Sequence, residues 1–308
     1  MGSMRLNSSE SLGTEPRDAQ PSGPTTSPDG KRLTGVVLML AGALSSQSGA
    51  SIATFAFPAI GPAGVVAVRQ WVAAIVLWCI GRPKLRNFTA AQWRLVLGLA
   101  LVFAAMNLSL YMAIDRIGLG LAVTLEFLGP LTIALIGSRR VVNMVCAVSA
   151  AAAVLLLVRP TPSTDYLGIG LALLAAVCWG SYIMLNRAVG ASLPGLEGTA
   201  AAAGISGMLY LPVGIWVLWH HPPSPAVLGY ALAAGVLSSA VPFLVDLLAL
   251  RRVSAHSFGM FMSISPVIAA LIGLVVLGER LDSLAWLAII VIVSANSVVA
   301  AVPPRRAA

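Results

Sequence analysis

From Leu33 to about residue 302 the chain is a succession of apolar runs separated by short breaks rich in Gly, Pro, Arg or Asp. A spanning helix needs about 20 mostly apolar residues. The runs place ten such spans near 33–55, 64–81, 93–113, 118–137, 141–158, 167–187, 198–219, 226–249, 254–277 and 283–302. Apolar residues follow one another there without the strict alternation of a transmembrane strand, so the pattern predicts helices rather than a closed barrel. Residues 1–32 break the pattern. They hold Pro16, Pro21, Pro24 and Pro28 among Ser, Thr, Gly and charges of both signs, a composition that builds no core and predicts a disordered tail. No apolar stretch before Leu33 reads as a secretory signal. Leu6 stands where a myristoylation signal starting at Gly2 needs Ser or Thr. Residues 303–308 form a second, short tail.

Composition sharpens this reading. The chain is 58% hydrophobic and 10% charged, against roughly 25% charged in a soluble domain, and its mean hydropathy is +0.91. Too little polar surface exists to cover a soluble fold, so the class is an all-α polytopic membrane protein. The net charge of +8 raises the question of nucleic acid. Charge placement answers it. With the N-terminus on the cytoplasmic side, thirteen Lys and Arg residues, from Lys31 and Arg32 to Arg305 and Arg306, flank the cytoplasmic ends of the spans. Only Arg116, Arg159 and Arg280 flank the other ends. This is the bias that orients membrane proteins, spread over six flanks rather than gathered in one patch, so no nucleic-acid partner is expected. Both termini are then cytoplasmic. Cys79, Cys146 and Cys178 lie far apart in apolar stretches. They read as small buried hydrophobes, and neither a metal site nor a cofactor is expected.

An internal repeat organises the spans. Residues 113–137 slid by 136 positions onto 249–273 match at seven places without a gap: Ala113, Arg116, Pro130 and the run Ala134–Gly137 meet Ala249, Arg252, Pro266 and Ala270–Gly273. The offset maps the fourth span onto the ninth, so each unit is five helices long, 33–158 and 167–302. A unit with an odd number of spans re-enters the membrane in the opposite sense. The sequence therefore predicts two inverted five-helix repeats, an architecture of secondary transporters with a substrate site near the midplane.

Deep inside the spans stand three formally charged residues, Arg69, Glu126 and Asp246. Each costs roughly 2.5–3.5 kcal/mol to insert, so each is expected to face a cavity or a partner. Removal from water disfavours a charged carboxyl, which suits a proton-exchanging acid. Pro130 follows Glu126 by one turn and loosens the helix there. Ser238, Pro242 and Asp246 are spaced by four and share a stripe. Arg69 has three readings: a ligand for a substrate carboxylate, an ion-pair partner that only staples Glu126, or a side chain snorkelling to the surface. Neutral polar residues add candidates: Gln47, Ser48 and Ser51 on the first span, Asn107 and Tyr111 on the third, Trp179, Tyr182 and Asn186 on the sixth. Interhelical hydrogen bonding explains each of these equally well. Asn296 reads as packing, and His220-His221 as an exposed turn.

The segments Gln47-Ser-Gly-Ala-Ser51, Leu125-Glu-Phe-Leu-Gly-Pro130 through Ser138-Arg-Arg140, Phe258-Gly-Met260 through Pro266, and Leu277-Gly-Glu279 resemble the EamA family of the drug/metabolite transporter superfamily, over about residues 33–302. The resemblance implies ten helices in two inverted repeats and a proton-driven inner-membrane exporter. The nearest likeness is to amino-acid exporters, with threonine and homoserine the first cargo expected. Gln47, Arg69 and Glu126 match the family pattern. Asp246 stands where the exporters are expected to carry Glu, one methylene longer. An expected mechanism follows. Glu126 or Asp246 meets the substrate ammonium, Arg69 meets its carboxylate, and an incoming proton competes for the acid. Pro130, Pro242 and Pro266 supply the helix breaks. Export of another small metabolite or a drug-like cation is the alternative. A membrane enzyme would need a reactive cluster that the chain lacks, and a passive channel would not need the repeat.

Overall fold

A computed structural model describes residues 28–136, 141–158, 165–242, 245 and 264–301. The described residues are helical, joined by short turns: α1 (Pro28–Thr54), α2 (Phe57–Gly81), α3 (Ala90–Ile117), α4 (Leu119–Glu126), α5 (Leu128–Ile136), α6 (Val141–Val158), α7 (Tyr166–Ser192), α8 (Glu197–Leu209), α9 (Leu211–His220), α10 (Pro225–Gly235), α11 (Ser265–Val276) and α12 (Ser283–Ala301). Among the described residues, four continuous helical stretches are long and apolar enough to cross a membrane: Phe57–Gly81, Ala90–Ile117, Tyr166–Ser192 and Glu197–His220. Large side chains such as Ile75, Val177, Val275 and Trp219 stand exposed on the outside, as lipid requires and water would penalise. The chain is a multi-pass membrane protein.

Local sequence explains most boundaries. Thr89 caps α3, accepting from Gln92 N while the Gln92 side chain accepts from Thr89 N, a reciprocal capping box. Asp165 caps α7 by accepting from Gly168 N at 2.8 Å. Helix α1 starts at Pro28, inside the stretch that composition assigns to the disordered tail of residues 1–32. Proline suits the first turn, where its missing N–H costs nothing. Prolines also divide three spans. The fourth is broken at Phe127 into α4 and α5, one turn before Pro130, which has no N–H to return to the Glu126 carbonyl. The seventh bends at Tyr210, with Pro212 in the first turn of α9. In the eighth a π-helical turn, Val236–Ala240, ends two residues before Pro242. Segment 254–263 of the ninth predicted span lies outside the described residues; α11 begins at Ser265 with Pro266 in its first turn.

The packing has a regular pairing. Helix α3 packs on α7 and α8, and α10 with its π turn packs on α1 and α2. Helix α4 packs on α7 and on α11, while α1 packs on α11; α2 meets α8, and α6 meets α12. Counting spans, each of the pairings just named recurs when five is added to each partner. The α2–α8 crossing lies at the centre of the pattern. There Gln70 Nε2 donates to Ser206 Oγ at 2.6 Å and Trp71 Nε1 donates to the Gly207 carbonyl at 3.1 Å. Both pairs are 136 residues apart, the interval of the sequence repeat. Gly64 lies against Val217 of α9 and Gly81 against Ala200 of α8, so α2 runs antiparallel to the α8–α9 stretch. Glycine is required at this seam, because a Cβ at Gly204 or Gly214 would enter the Trp78 or Trp71 ring.

Candidate functional site

A cavity of about 260 Å³ lies between α1, α2, α3, α4, α7 and the π turn. Arg69 projects into it from the middle of α2. Its Nη1 donates to Asn107 Oδ1 at 2.5 Å, its Nε to Ser239 Oγ at 3.2 Å and its Nη2 to the Ser238 carbonyl at 3.2 Å. The last bond follows from Pro242: a proline four residues on gives no N–H to the Ser238 carbonyl, and the guanidinium takes its place. Asn107 is oriented for its task, since its Nδ2 donates to the Phe103 carbonyl at 2.8 Å and leaves Oδ1 for Arg69. The guanidinium carbon also lies 4.9 Å from the centre of the Tyr111 ring, a cation–π contact. Arginine carries five N–H donors. Three are used by these bonds, so the fork is fixed in place with donors to spare for an anionic ligand.

Snorkelling of Arg69 to the surface does not occur, because three bonds tie it to α3 and the π turn. Nor does it form an ion pair with Glu126: the ion pair present among the described residues is Arg116–Asp165, at 2.9 Å. Glu126 ends α4, is 6% exposed, and lines the cavity. Among the described residues it makes no hydrogen bond. Tyr111 is fully buried, and its hydroxyl also has no partner among them. Aromatic rings complete the walls. Phe127 meets Trp179 edge-on at 4.6 Å, and Phe103 stacks with Tyr182 at 5.9 Å.

Of the residues singled out from sequence, Gln47, Arg69, Asn107, Tyr111, Glu126, Trp179, Tyr182 and Pro242 line this one cavity. Ser48 is half-buried and off its walls. Pro130 acts one step back, at the break between α4 and α5, and Pro266 stands in the first turn of α11. Asp246 lies outside the described residues. Asn186 accepts from Thr199 Oγ1 at 3.0 Å, and Asn296 donates to the Ile292 carbonyl at 3.1 Å. Sequence reasoning did not single out Ser46, Phe103, Met106 and Ser265, nor give Ser238 its weight beyond a stripe. Helical spacing was the available signal for two of them, because Phe103 precedes Asn107, and Ser238 precedes Pro242, by one turn.

A second cavity, of about 170 Å³, adjoins the first and extends toward Leu77, Leu99, Thr199 and Ala203. The two share Arg69, Phe103, Met106, Asn107, Tyr182 and Ser238, so the anchored guanidinium stands between them. At the opposite end of the bundle Arg116 Nε donates to Asp165, linking α3 to α7. The Gly168 N–H, and after it the Arg116 guanidinium, hold the Asp165 carboxyl below its ordinary value.

The chain is 35% identical over 268 residues to the threonine/homoserine exporter RhtA of Salmonella typhimurium, covering 84% of this chain and 89% of that one. Against RhtA of Escherichia coli K12 the identity is 34% over 268 residues, 85% of this chain and 89% of the relative. A model of the EamA-like transporter family matches residues 166–300. The chain belongs to the EamA family. It is thus a membrane transporter, and not an enzyme. A solved crystal structure shares the fold, with a TM-score of 0.59 and 20% identity over 90% of this chain and 99% of the other.

Proposed function

We propose that this transporter exports small hydrophilic amino acids of the threonine and homoserine type across the bacterial inner membrane, in exchange for protons, by alternating access. The observation that carries the reading is the cavity itself. An anchored cation with unused donors and an acid without a partner face one cavity of about 260 Å³. A zwitterion needs both, the guanidinium for its carboxylate and Glu126 for its ammonium. The identity to exporters named for threonine and homoserine supports the same cargo. Asp246, one turn beyond Pro242 in sequence, is assigned to the same site as a second acid, with Gln47, Asn107, Tyr111, Trp179 and Tyr182 as neutral contacts.

Proton coupling follows from the state of Glu126. A carboxylate without a partner is costly in a low-dielectric wall. Either an ammonium or a proton relieves the cost, and one acid cannot take both. Proton entry from outside therefore displaces the ammonium there, and cargo entry from the cytoplasm displaces the proton. We read residues 33–158 and 167–302 as inverted five-helix repeats with both termini cytoplasmic. The recurrent span pairing, the 136-residue interval across the central crossing and the antiparallel run of α2 and the α8–α9 stretch support the repeats. The Lys and Arg bias supports the orientation. Counterflow in proteoliposomes tests the function. Vesicles preloaded with threonine should accumulate labelled threonine and homoserine, and an imposed pH gradient alone should drive net movement. Threonine flux that ignores the pH gradient would refute the coupling.

A further inference from the structure

Helix α4 presents its first backbone N–H groups at Leu119 and ends at Glu126. The opening N–H groups of any helix lack partners inside it, and the residue before α4, Gly118, has no side chain to offer them. The cap comes from a different part of the chain. Glu279, just past the end of α11, accepts from Leu119 N at 2.8 Å through Oε1 and from Gly120 N at 3.4 Å through Oε2. Three glycines make this reach possible. Gly278, at φ +69°, turns the chain so that Glu279 N–H donates to the Gly273 carbonyl at 3.0 Å. Gly118, at φ +83°, and Gly273 leave room for the carboxyl; a Cβ on Gly118 would lie 2.9 Å from its carbon.

The other end of the same short helix forms the cavity wall. Val123 and Glu126 both line the chamber, and Glu126 is about 10 Å of helix rise from Leu119. Beside the cap the Arg116–Asp165 pair joins α3 to α7, so this end of the bundle is fastened by charge at two places. Hydrogen bonds from backbone N–H groups to a carboxylate are strong but are replaceable by water when the end opens.

Resting on the transport reading above, we propose that Glu279 is a latch: its carboxylate closes the Gly118 end of the chamber by holding the N-terminus of α4, and its release opens that end. Glu279 is a positioning residue. It touches no cargo; it sets the place of α4 and hence of Glu126.

The test uses the full chain with Cys79, Cys146 and Cys178 replaced by Ala and a reporter thiol introduced by Val123→Cys. Proteoliposomes of each variant are exposed to a membrane-impermeant maleimide, and the labelling rate is measured. Losing a charged helix cap shifts an equilibrium about tenfold. Glu279→Gln should therefore raise labelling about tenfold over its parent, and Glu279→Asp should stay within about twofold. Gly118→Ala, which disturbs the same contact from the other partner, should raise it as Glu279→Gln does, and it decides the matter should Glu279→Gln not fold. Labelling at the parent rate in a folded Glu279→Gln or Gly118→Ala protein would overturn the latch. Threonine counterflow is measured in separate vesicles holding the unsubstituted chain. An unsubstituted chain that moves no threonine, beside a Glu279→Gln variant that labels about tenfold faster, would refute the cargo and leave the latch standing.

Discussion

Arg69 and Gln70 are neighbours on α2, yet they belong to two different kinds of polar interior. Gln70 faces the seam with α8. It is 1% exposed, and its amide is spent on Ser206, as the Trp71 indole is spent on Gly207. Around them glycines and alanines bring the backbones together. Arg69 faces the chamber. Its anchors leave donors unused, and near it stand an acid and a buried tyrosine hydroxyl that lack partners among the described residues. In lipid an interhelical hydrogen bond is worth about 1 kcal/mol of packing, while an uncompensated buried polar group costs more than that. Matched polar groups hold helices together; unmatched ones around a cavity are held in readiness for a ligand.

That contrast can be broken by experiment. Glu126→Gln, on the chamber side, should cut threonine counterflow by about a hundredfold, the scale of losing a desolvated charge partner, while the melting temperature stays near that of the parent. Gln70→Leu and Ser206→Ala, on the seam side, should do the reverse. Each alone leaves a buried partner unpaired and should lower stability by about 1–3 kcal/mol, and the double variant should recover most of it, with the KM for threonine unchanged throughout. Tyr111→Phe sharpens the line between the two regions. Removing a buried hydroxyl without a partner should raise the melting temperature slightly yet raise the KM about fivefold, the worth of one hydrogen bond to cargo. The smallest effect belongs to the exposed end. A carboxyl whose folded value is depressed contributes stability above its ordinary value of about 3.9 and loses it as pH falls through the folded value. Asp165→Asn should thus melt slightly below the parent at neutral pH and merge with it in strong acid.

Much of this arrangement is legible in the sequence because lipid imposes strict rules. Long apolar runs must be helices, and a charge inside one must face something polar. Those two rules alone bring Arg69, Glu126 and Asp246 to notice, and Asn107 and Tyr111 follow only as neutral polar residues inside the same runs. The prolines at 130 and 242 mark the broken fourth span and the π turn, although the consequence at 242, a carbonyl released to Arg69, depends on a neighbouring helix and is invisible along the chain. Glu279 was legible only as a motif at the end of a span. Its partner, the bare N-terminus of α4, lies 160 residues away. Ser48 shows the converse error: period alone does not say which face of a helix meets the cavity, and Gln47 takes that place.

The central claim, that Glu126 reads the ammonium of the cargo, is tested most directly by binding rather than flux. Purified protein is titrated with threonine and with 3-hydroxybutyrate, which keeps the carboxylate and the hydroxyl but lacks the ammonium. The parent should prefer threonine strongly, and Glu126→Gln should bind the two about equally. A Glu126→Gln protein that still preferred threonine by the parental ratio would contradict the account.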